Sequence, residues 1–330
     1  KMFSLIPYLD MSAEPRTAFI YNNWMWVASG VVAETVSKKS WESLIHDNIF
    51  HALGMNQSNT SLAETLKSAN YSLAYESDGT QFKKVPFLDI GFANPAGGVY
   101  SNLNDMMKWL QFHLNHGRVG NEQIISQNAL NETYKPYSKA GSGDYAMGWA
   151  IANFADTKLL THDGGVDGFT TNVSFMPEKG LGVVILTNSS QVVPQMVALN
   201  LWQRLLGQQP KDWVRETIQS GLKQTDFNKA SYPDLAEKPS ALPLSAYTGK
   251  FCHPAYGYAL VSLNQSAKIH VTLNALSFDL ISVGSDAFQI QGLFDSMKQL
   301  HFESVNGIPQ SIEWQIEASS KKPIRFRRCD

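Results

Sequence analysis

His162-Asp163-Gly164-Gly165-Val166-Asp167-Gly168-Phe169, followed by Met176-Pro177-Glu178-Lys179-Gly180-Leu181-Gly182-Val183-Val184-Ile185-Leu186-Thr187-Asn188, is the stretch on which the reading of this chain turns. Pro177-Glu178-Lys179-Gly180 is a hairpin-type turn. The runs on either side of it, Thr170 to Met176 and Gly182 to Thr187, have a strand-like period, as does Tyr145 to Phe154. Three adjacent antiparallel strands are expected, with His162-Asp163-Gly164 entering that region as an H-x-G.

Upstream the period is helical. Trp24, Val27, Ala28, Val31 and Thr35 predict an amphipathic helix over 24–36, with Tyr21-Asn22-Asn23 at its N-terminus. A second helix is expected from about Trp41 to Leu53, ended by Gly54, and a third from Ser101-Asn102 through Met106, Trp109, Leu110 and Phe112 to His116-Gly117. Pro95-Ala96-Gly97-Gly98 reads as a turn cluster that a regular element would not tolerate. Downstream, a helix after Pro194 puts Val197, Leu201 and Leu205 on one stripe.

Residues 208–243 are polar and proline-dotted, around a short helix near Trp213 to Leu222, and are taken as a linker between residues 1–207 and 244–330. Beyond it, Tyr247 to Cys252, Tyr256 to Leu263, Ile269-Val271-Leu273, Phe278-Leu280, Phe288-Ile290, Leu300-Phe302, Ile312-Trp314-Ile316 and Ile324-Phe326 make about eight strands, the count of a small closed barrel. If the first and last strands pair along their whole length, Cys252 and Cys329 fall at opposite ends, and two separate thiols are expected.

The chain has 330 residues, with a formal net charge of −2 and 17% charged residues. No basic field points to nucleic acid. The most apolar stretch, Trp24 to Val36, is too short to span a bilayer, and no signal peptide is legible at Lys1. The 8 His show no metal-ligand spacing, so neither a metal nor another cofactor is expected. An excised C-terminal piece of a longer protein would begin in this way.

With 8 His and 23 Gly, about half an H-x-G is expected by chance, so the motif needs context. Lys139-Ala140-Gly141 would pass as the related K-x-G, yet it lies in a Gly/Ser-rich loop. The context of His162 is richer. Together with Tyr21-Asn22-Asn23, Leu53-Gly54-Met55, Pro95-Ala96-Gly97-Gly98, Ser101, Asp105 and Met147-Gly148-Trp149, the 162–188 stretch resembles the serine β-lactamase-like family of class C β-lactamases, D,D-peptidases and related esterases. The resemblance covers about residues 10–207. The tail from Leu244, with Tyr247-Thr248-Gly249-Lys250-Phe251, is similar to a lipocalin-like module.

The resemblance implies an α+β fold: a partial β-lactamase/transpeptidase-like domain of helical segments and antiparallel strands, followed by an all-β barrel. It also implies acyl transfer through a serine ester, cleaving an amide or ester in a small molecule or peptide. Tyr21 would shuttle the proton, Asn23 would hold the substrate's acyl-amide, and His162 would orient the proton network or bind a carboxylate. Gly164 and Gly165 would leave room for the acyl group, and Gly165 N–H would be an oxyanion donor. Asp163 stands where a hydroxyl residue is common, and an anion there would repel an anionic substrate.

The family's third motif, S-x-x-K, does not precede Tyr21. A match at Ser319-Ser320-Lys321-Lys322 lies at the wrong end beside Pro323 and is taken as chance. The 330 residues alone are therefore expected to be inactive, with a partner chain, dimer contact or further segment covering the gap. A non-catalytic binding or regulatory module and a ligand-binding barrel are the competing readings. A periplasmic or extracellular address is expected from the peptidoglycan-directed relatives.

Overall fold

The computed structural model describes the chain except residues 1–2, 78–80, 191–192, 214, 217–218, 220–236, 275, 291–298, 317–321 and 330. Ser319, Ser320 and Lys321, and much of the expected linker and its short helix, lie outside the described residues. Two compact units are present, one of residues 16–224 and one of residues 1–15 with 225–330.

The first unit is built on a six-stranded antiparallel sheet. Its strands, in chain order, are β1 (Ser138–Ala140), β2 (Gly143–Tyr145), β3 (Ala150–Phe154), β4 (Thr157–Val166), β5 (Phe169–Met176) and β6 (Leu181–Thr187), each paired with the next. The expected turn is present: Met176 pairs with Leu181, and Gly180 takes φ +64° at its end. The run from Tyr145 to Phe154 is not one strand. Ala146 N–H donates to Trp149 O and Gly148 sits at φ +83°, so the chain kinks and reverses between β2 and β3. The K-x-G look-alike at Lys139 ends up on the edge strand β1.

Helices cover both faces of this sheet, which explains why its strands are apolar on both sides. α1 is Asn23–Ser37, α2 is Leu103–Leu114 and α3 is Val193–Leu205. Leu160, Phe175 and Val184 pack with Leu110 and Phe112 of α2. Their chain neighbours Leu159, Met176 and Val183 point the other way, against Ala198 and Trp202 of α3. The buried stripe of α3 is thus Pro194, Ala198 and Trp202, while Leu201 and Leu205 stay partly in solvent. The expected stripe was one position off, because Trp202 buries more area than a leucine and donates its indole N–H to Ser174 at 3.0 Å.

α1 follows its expected span, but the cap is Asn22, whose side chain accepts from Trp24 N–H at 2.8 Å. The helix approaches Asn94–Gly97 so closely that a Cβ on Gly30 would lie 2.4 Å from Pro95 Cγ. Asn94–Gly97 is itself one helical turn with proline in its first turn, not the irregular cluster expected. The second helix starts as expected at Trp41 and runs as a π-turn over His46–His51.

The second unit holds the barrel. Strands β7 (Gly249–His253), β8 (Gly257–Leu263), β9 (Ile269–Leu273), β10 (Leu276–Ser285), β11 (Ala287–Ile290), β12 (Gln299–Val305), β13 (Ile308–Trp314) and β14 (Ile324–Arg328) form an up-and-down antiparallel meander that closes β14 onto β7. Lys238–Ser240 adds a short parallel strand on β10. Among the described residues, aromatic and branched side chains such as Tyr247, Phe251, Phe288, Phe302, Trp314 and Phe326 fill the interior as a packed core, which counts against the ligand-binding barrel.

Cys252 and Cys329 form a disulfide, against the expectation of separate thiols, with Cα atoms 5.8 Å apart. The expectation assumed full-length pairing of the first and last strands. A barrel closes with a stagger between them. Here only their ends overlap: Phe251 faces Arg328, Cys252 faces Arg327, and Cys329 N–H donates to Lys250 O at 2.9 Å. Cys252 is therefore diagonal to Cys329 on the same outer face, within bridging distance.

Candidate active site

The start of α1 and strand β4 bring Tyr21 and His162 together. Asn22 caps α1, and the residue just before it, Tyr21, projects beside the helix start with 47% of its surface exposed. His162 lies on β4, two residues beyond Leu160, so by strand alternation it shares the sheet face of the helical segments. The rings of Tyr21 and His162 have centroids 6.1 Å apart. With Trp26, Pro95, Ala96 and Gly148 they line a cleft of about 170 Å³.

Asn23 is not among the lining residues, and its amide has no hydrogen-bond partner among the described residues. It is exposed at the first turn of α1. The two glycines differ. A Cβ on Gly164 would meet Thr171 Oγ1 at 2.4 Å, whereas nothing lies within 4 Å of one on Gly165. Gly164 is thus required by packing, and only Gly165 opens on free space.

β4 also presents a free edge. Its ladder with β3 ends at Ala150 opposite Thr161, while its ladder with β5 continues to Val166 opposite Phe169. From His162 to Val166 the strand ladder is paired on one side only among the described residues. The following hairpin is tight, because Gly168 at φ +80° leaves no room for a Cβ, which would lie 2.4 Å from Ala74 Cβ.

Asp163 points to the opposite face from His162, where Asn172 Nδ2 donates to its carboxylate at 2.7 Å. Asn172 also reaches Thr161 and Ser174, and Ser174 accepts from Trp202. The carboxylate is thus tied into a polar chain on the α3 side of the sheet.

Tyr145, on β2, belongs to the site and was not singled out from sequence. Its hydroxyl lies 3.0 Å from His162 Nε2, and its ring contacts Phe19 at 4.9 Å and Tyr21 at 6.3 Å between centroids. Burial first, and the neighbouring Tyr21 second, push its pKa up to about 12. The signal was present in Tyr145-Ala146-Met147-Gly148-Trp149, where Gly148 forces the reversal that turns Tyr145 back toward β4.

A second cleft, of about 330 Å³, is lined by Glu42, His46, Asp47, Asn59 and Glu64 among others. Its carboxylates are already engaged: Glu42 by Asn94, Asp47 by Lys39 and His46, Glu64 by Lys67. Among the described residues no three His, Cys, Asp or Glu side chains gather as a metal site, and no helix is long and apolar enough to cross a membrane.

A family model described as Beta-lactamase matches residues 3–208. The chain belongs to the β-lactamase family. Unguisins hydrolase ungD′ of Aspergillus campestris is 28% identical to it over 272 residues, covering 76% of this chain and 50% of that protein. Unguisins hydrolase ungD of Aspergillus violaceofuscus is 26% identical over 372 residues, covering 97% and 65%. The chain therefore spans between half and two thirds of the length of these relatives. The octameric penicillin-binding protein homologue from Pyrococcus abyssi superposes with a TM-score of 0.56 at 22% identity, over 96% of this chain and 66% of that one. At that identity the likeness speaks for the fold alone: this β-lactamase-family chain has the α+β β-lactamase/transpeptidase-like fold with a C-terminal eight-stranded antiparallel barrel.

Proposed function

We propose that this chain carries the substrate-facing half of a serine hydrolase site that cleaves an amide or ester in a small molecule or peptide through an acyl-serine intermediate. The observation that supports it best is the meeting of Tyr21 and His162, far apart in sequence, across one cleft. Tyr21 is the proton shuttle, with a hydroxyl free of hydrogen-bond partners among the described residues. Gly165, on the free edge of β4, supplies an oxyanion N–H to an acyl group lying along that edge. Asn23 holds the substrate amide, which requires its exposed side chain to swing toward the cleft.

Acyl transfer needs a serine nucleophile and a cation to lower the tyrosine's pKa. No S-x-x-K stands ahead of Tyr21 in these 330 residues, and no lysine lines the cleft. The chain by itself is therefore inactive in this reading. Trp24, Met25, Val32 and Val36 are exposed on α1; a further segment, partner chain or dimer contact covers them. The Cys252–Cys329 disulfide favours a periplasmic or extracellular address. The C-terminal barrel is, in this proposal, a lipocalin-like module.

The competing non-catalytic reading drew on Asp163, and the bond of that carboxylate to Asn172 weakens its support. Intact-protein mass spectrometry after incubation with a fluorophosphonate or a penicillin tests the proposal. No adduct is expected on the 330-residue chain. Stoichiometric labelling of any serine would overturn it.

A further inference from the structure

The His162 wall of the cleft has no ring nitrogen to offer a ligand. Nδ1 lies 2.7 Å from the carbonyl oxygen of Asp163, which can only accept, so Nδ1 carries a proton. In the neutral ring Nε2 is then an acceptor, and the group 3.0 Å from it is the Tyr145 hydroxyl, which donates to it. Tyr145 is itself held in place. Phe19 packs on its ring, its backbone carbonyl accepts from Tyr137 N–H at 2.9 Å, and its strand is paired on both sides.

The remaining walls are Tyr21, Trp26, Pro95, Ala96 and Gly148, an aromatic and apolar set without a cation. A carboxylate entering this space would lose its hydration and find neither an ammonium nor a free imidazole N–H. An amide or ester group loses less, and the phenol oxygens of Tyr21 and Tyr145 can accept from an amide N–H.

We propose that Tyr145 is a positioning residue that occupies Nε2 of His162, whose Nδ1–H tautomer the Asp163 carbonyl fixes, closes that nitrogen to anions, and so restricts the cleft to uncharged amide or ester groups where a carboxylate would otherwise be bound. The tautomer part stands on geometry alone. The restriction on substrate rests on the acyl-transfer reading above, but neither measurement below involves acylation, so the two fail separately.

Long-range ¹H–¹⁵N spectra of the intact 330-residue chain, with His162→Gln for assignment, read the tautomer directly. In its neutral form the wild-type His162 should show a protonated Nδ1 and a bare, hydrogen-bonded Nε2, and Tyr145→Phe should keep that tautomer while shifting the Nε2 resonance as its hydrogen bond is lost. A wild-type ring protonated at Nε2, or a Tyr145→Phe spectrum unchanged from wild type, overturns the proposal. In a second measurement N-acetylphenylalaninamide and N-acetylphenylalanine are titrated while the signals of Gly165 and His162 are followed. The amide should bind at least about tenfold more tightly, and Tyr145→Phe should narrow that gap. Equal binding, preference for the acid, or no response to either overturns the restriction. If Tyr145→Phe does not fold, the wild-type tautomer and the amide-to-acid ratio still decide.

Discussion

Cys252 and Cys329 are joined across the seam where the first and last strands of the barrel meet, diagonally placed on its outer face. Closure of the barrel at this seam rests on a short ladder, since β7 and β14 overlap only at their ends. The bridge therefore holds the part of the barrel with the least backbone pairing.

Reducing it should be costly. The bridge closes a loop with a sequence separation of 77, for which the chain-entropy model gives about 4 kcal/mol of stabilisation. Cys252→Ser/Cys329→Ser should lower the unfolding free energy of the barrel unit, read from urea denaturation, by an amount of that order. A double mutant as stable as the oxidised wild type would mean that the packed aromatic core suffices to close the barrel.

His113 predicts an acid-sensitive core. It is 3% exposed, within a cage of Trp109, Phe112, Tyr134, Trp149 and Phe175, and Nδ1 is bonded to the Tyr134 hydroxyl. Its Nε2 has no hydrogen-bond partner among the described residues. Burial alone pushes its pKa from 6.5 to about 3. A depressed histidine stabilises the folded state fully above its unfolded value and loses that contribution as the pH falls toward the folded one. Between pH 6.5 and 3, each unit should cost up to about 1.4 kcal/mol. Urea midpoints at pH 7 and pH 5 should diverge more in wild type than in His113→Phe, and a histidine resonance should stay unprotonated down to pH 4. Equal slopes, or titration near pH 6, would contradict this.

Asp105 is the second buried hub, 2% exposed at the start of α2. Its carboxylate accepts from Gln57 N–H at 2.8 Å, Ser58 Oγ at 2.9 Å and Lys108 Nζ at 3.0 Å. Burial would raise its pKa, but the hydrogen bonds of Lys108, Gln57 and Ser58 together outweigh it and the net shift is downward. Asp105→Ala strands these donors and should cost about 3 kcal/mol or more, read as a fall in melting temperature. A loss below about 0.5 kcal/mol, the scale of an ordinary surface change, would mean that water replaces the carboxylate.

Much of this architecture was readable because it depends on local pattern. Period-2 runs flanking Pro177-Glu178-Lys179-Gly180 gave the hairpin, and eight short apolar bursts gave the barrel strands. What escaped were relations between distant residues. The stagger that brings Cys252 beside Cys329 is a property of the closed barrel, not of either strand. The kink at Gly148 that returns Tyr145 to His162 looks, in sequence, like the middle of one continuous strand. Asn22 and Asn23 are equally good caps by type, and only the geometry at the start of α1 assigns the role to Asn22. The same limit applies to Gly164 and Gly165, identical in sequence and opposite in surroundings.

That pair allows a test of which backbone faces the substrate. Gly164→Ala would place its Cβ 2.4 Å from Thr171 Oγ1 on the paired strand, so β5 must shift or the threonine must leave its rotamer. Such overpacking costs about 1–3 kcal/mol. Gly165→Ala meets nothing within 4 Å and should leave the melting temperature unchanged. By strand alternation its methyl group would instead stand in open space on the Asp163 face of β4, next to the backbone N–H proposed as the oxyanion donor. The expected outcome is a double dissociation: Gly164→Ala lowers stability, while Gly165→Ala keeps stability and weakens binding of N-acetylphenylalaninamide as followed at His162. If Gly165→Ala binds the amide as wild type does, the acyl group does not lie against this strand, and Gly165 has no claim to be an oxyanion donor.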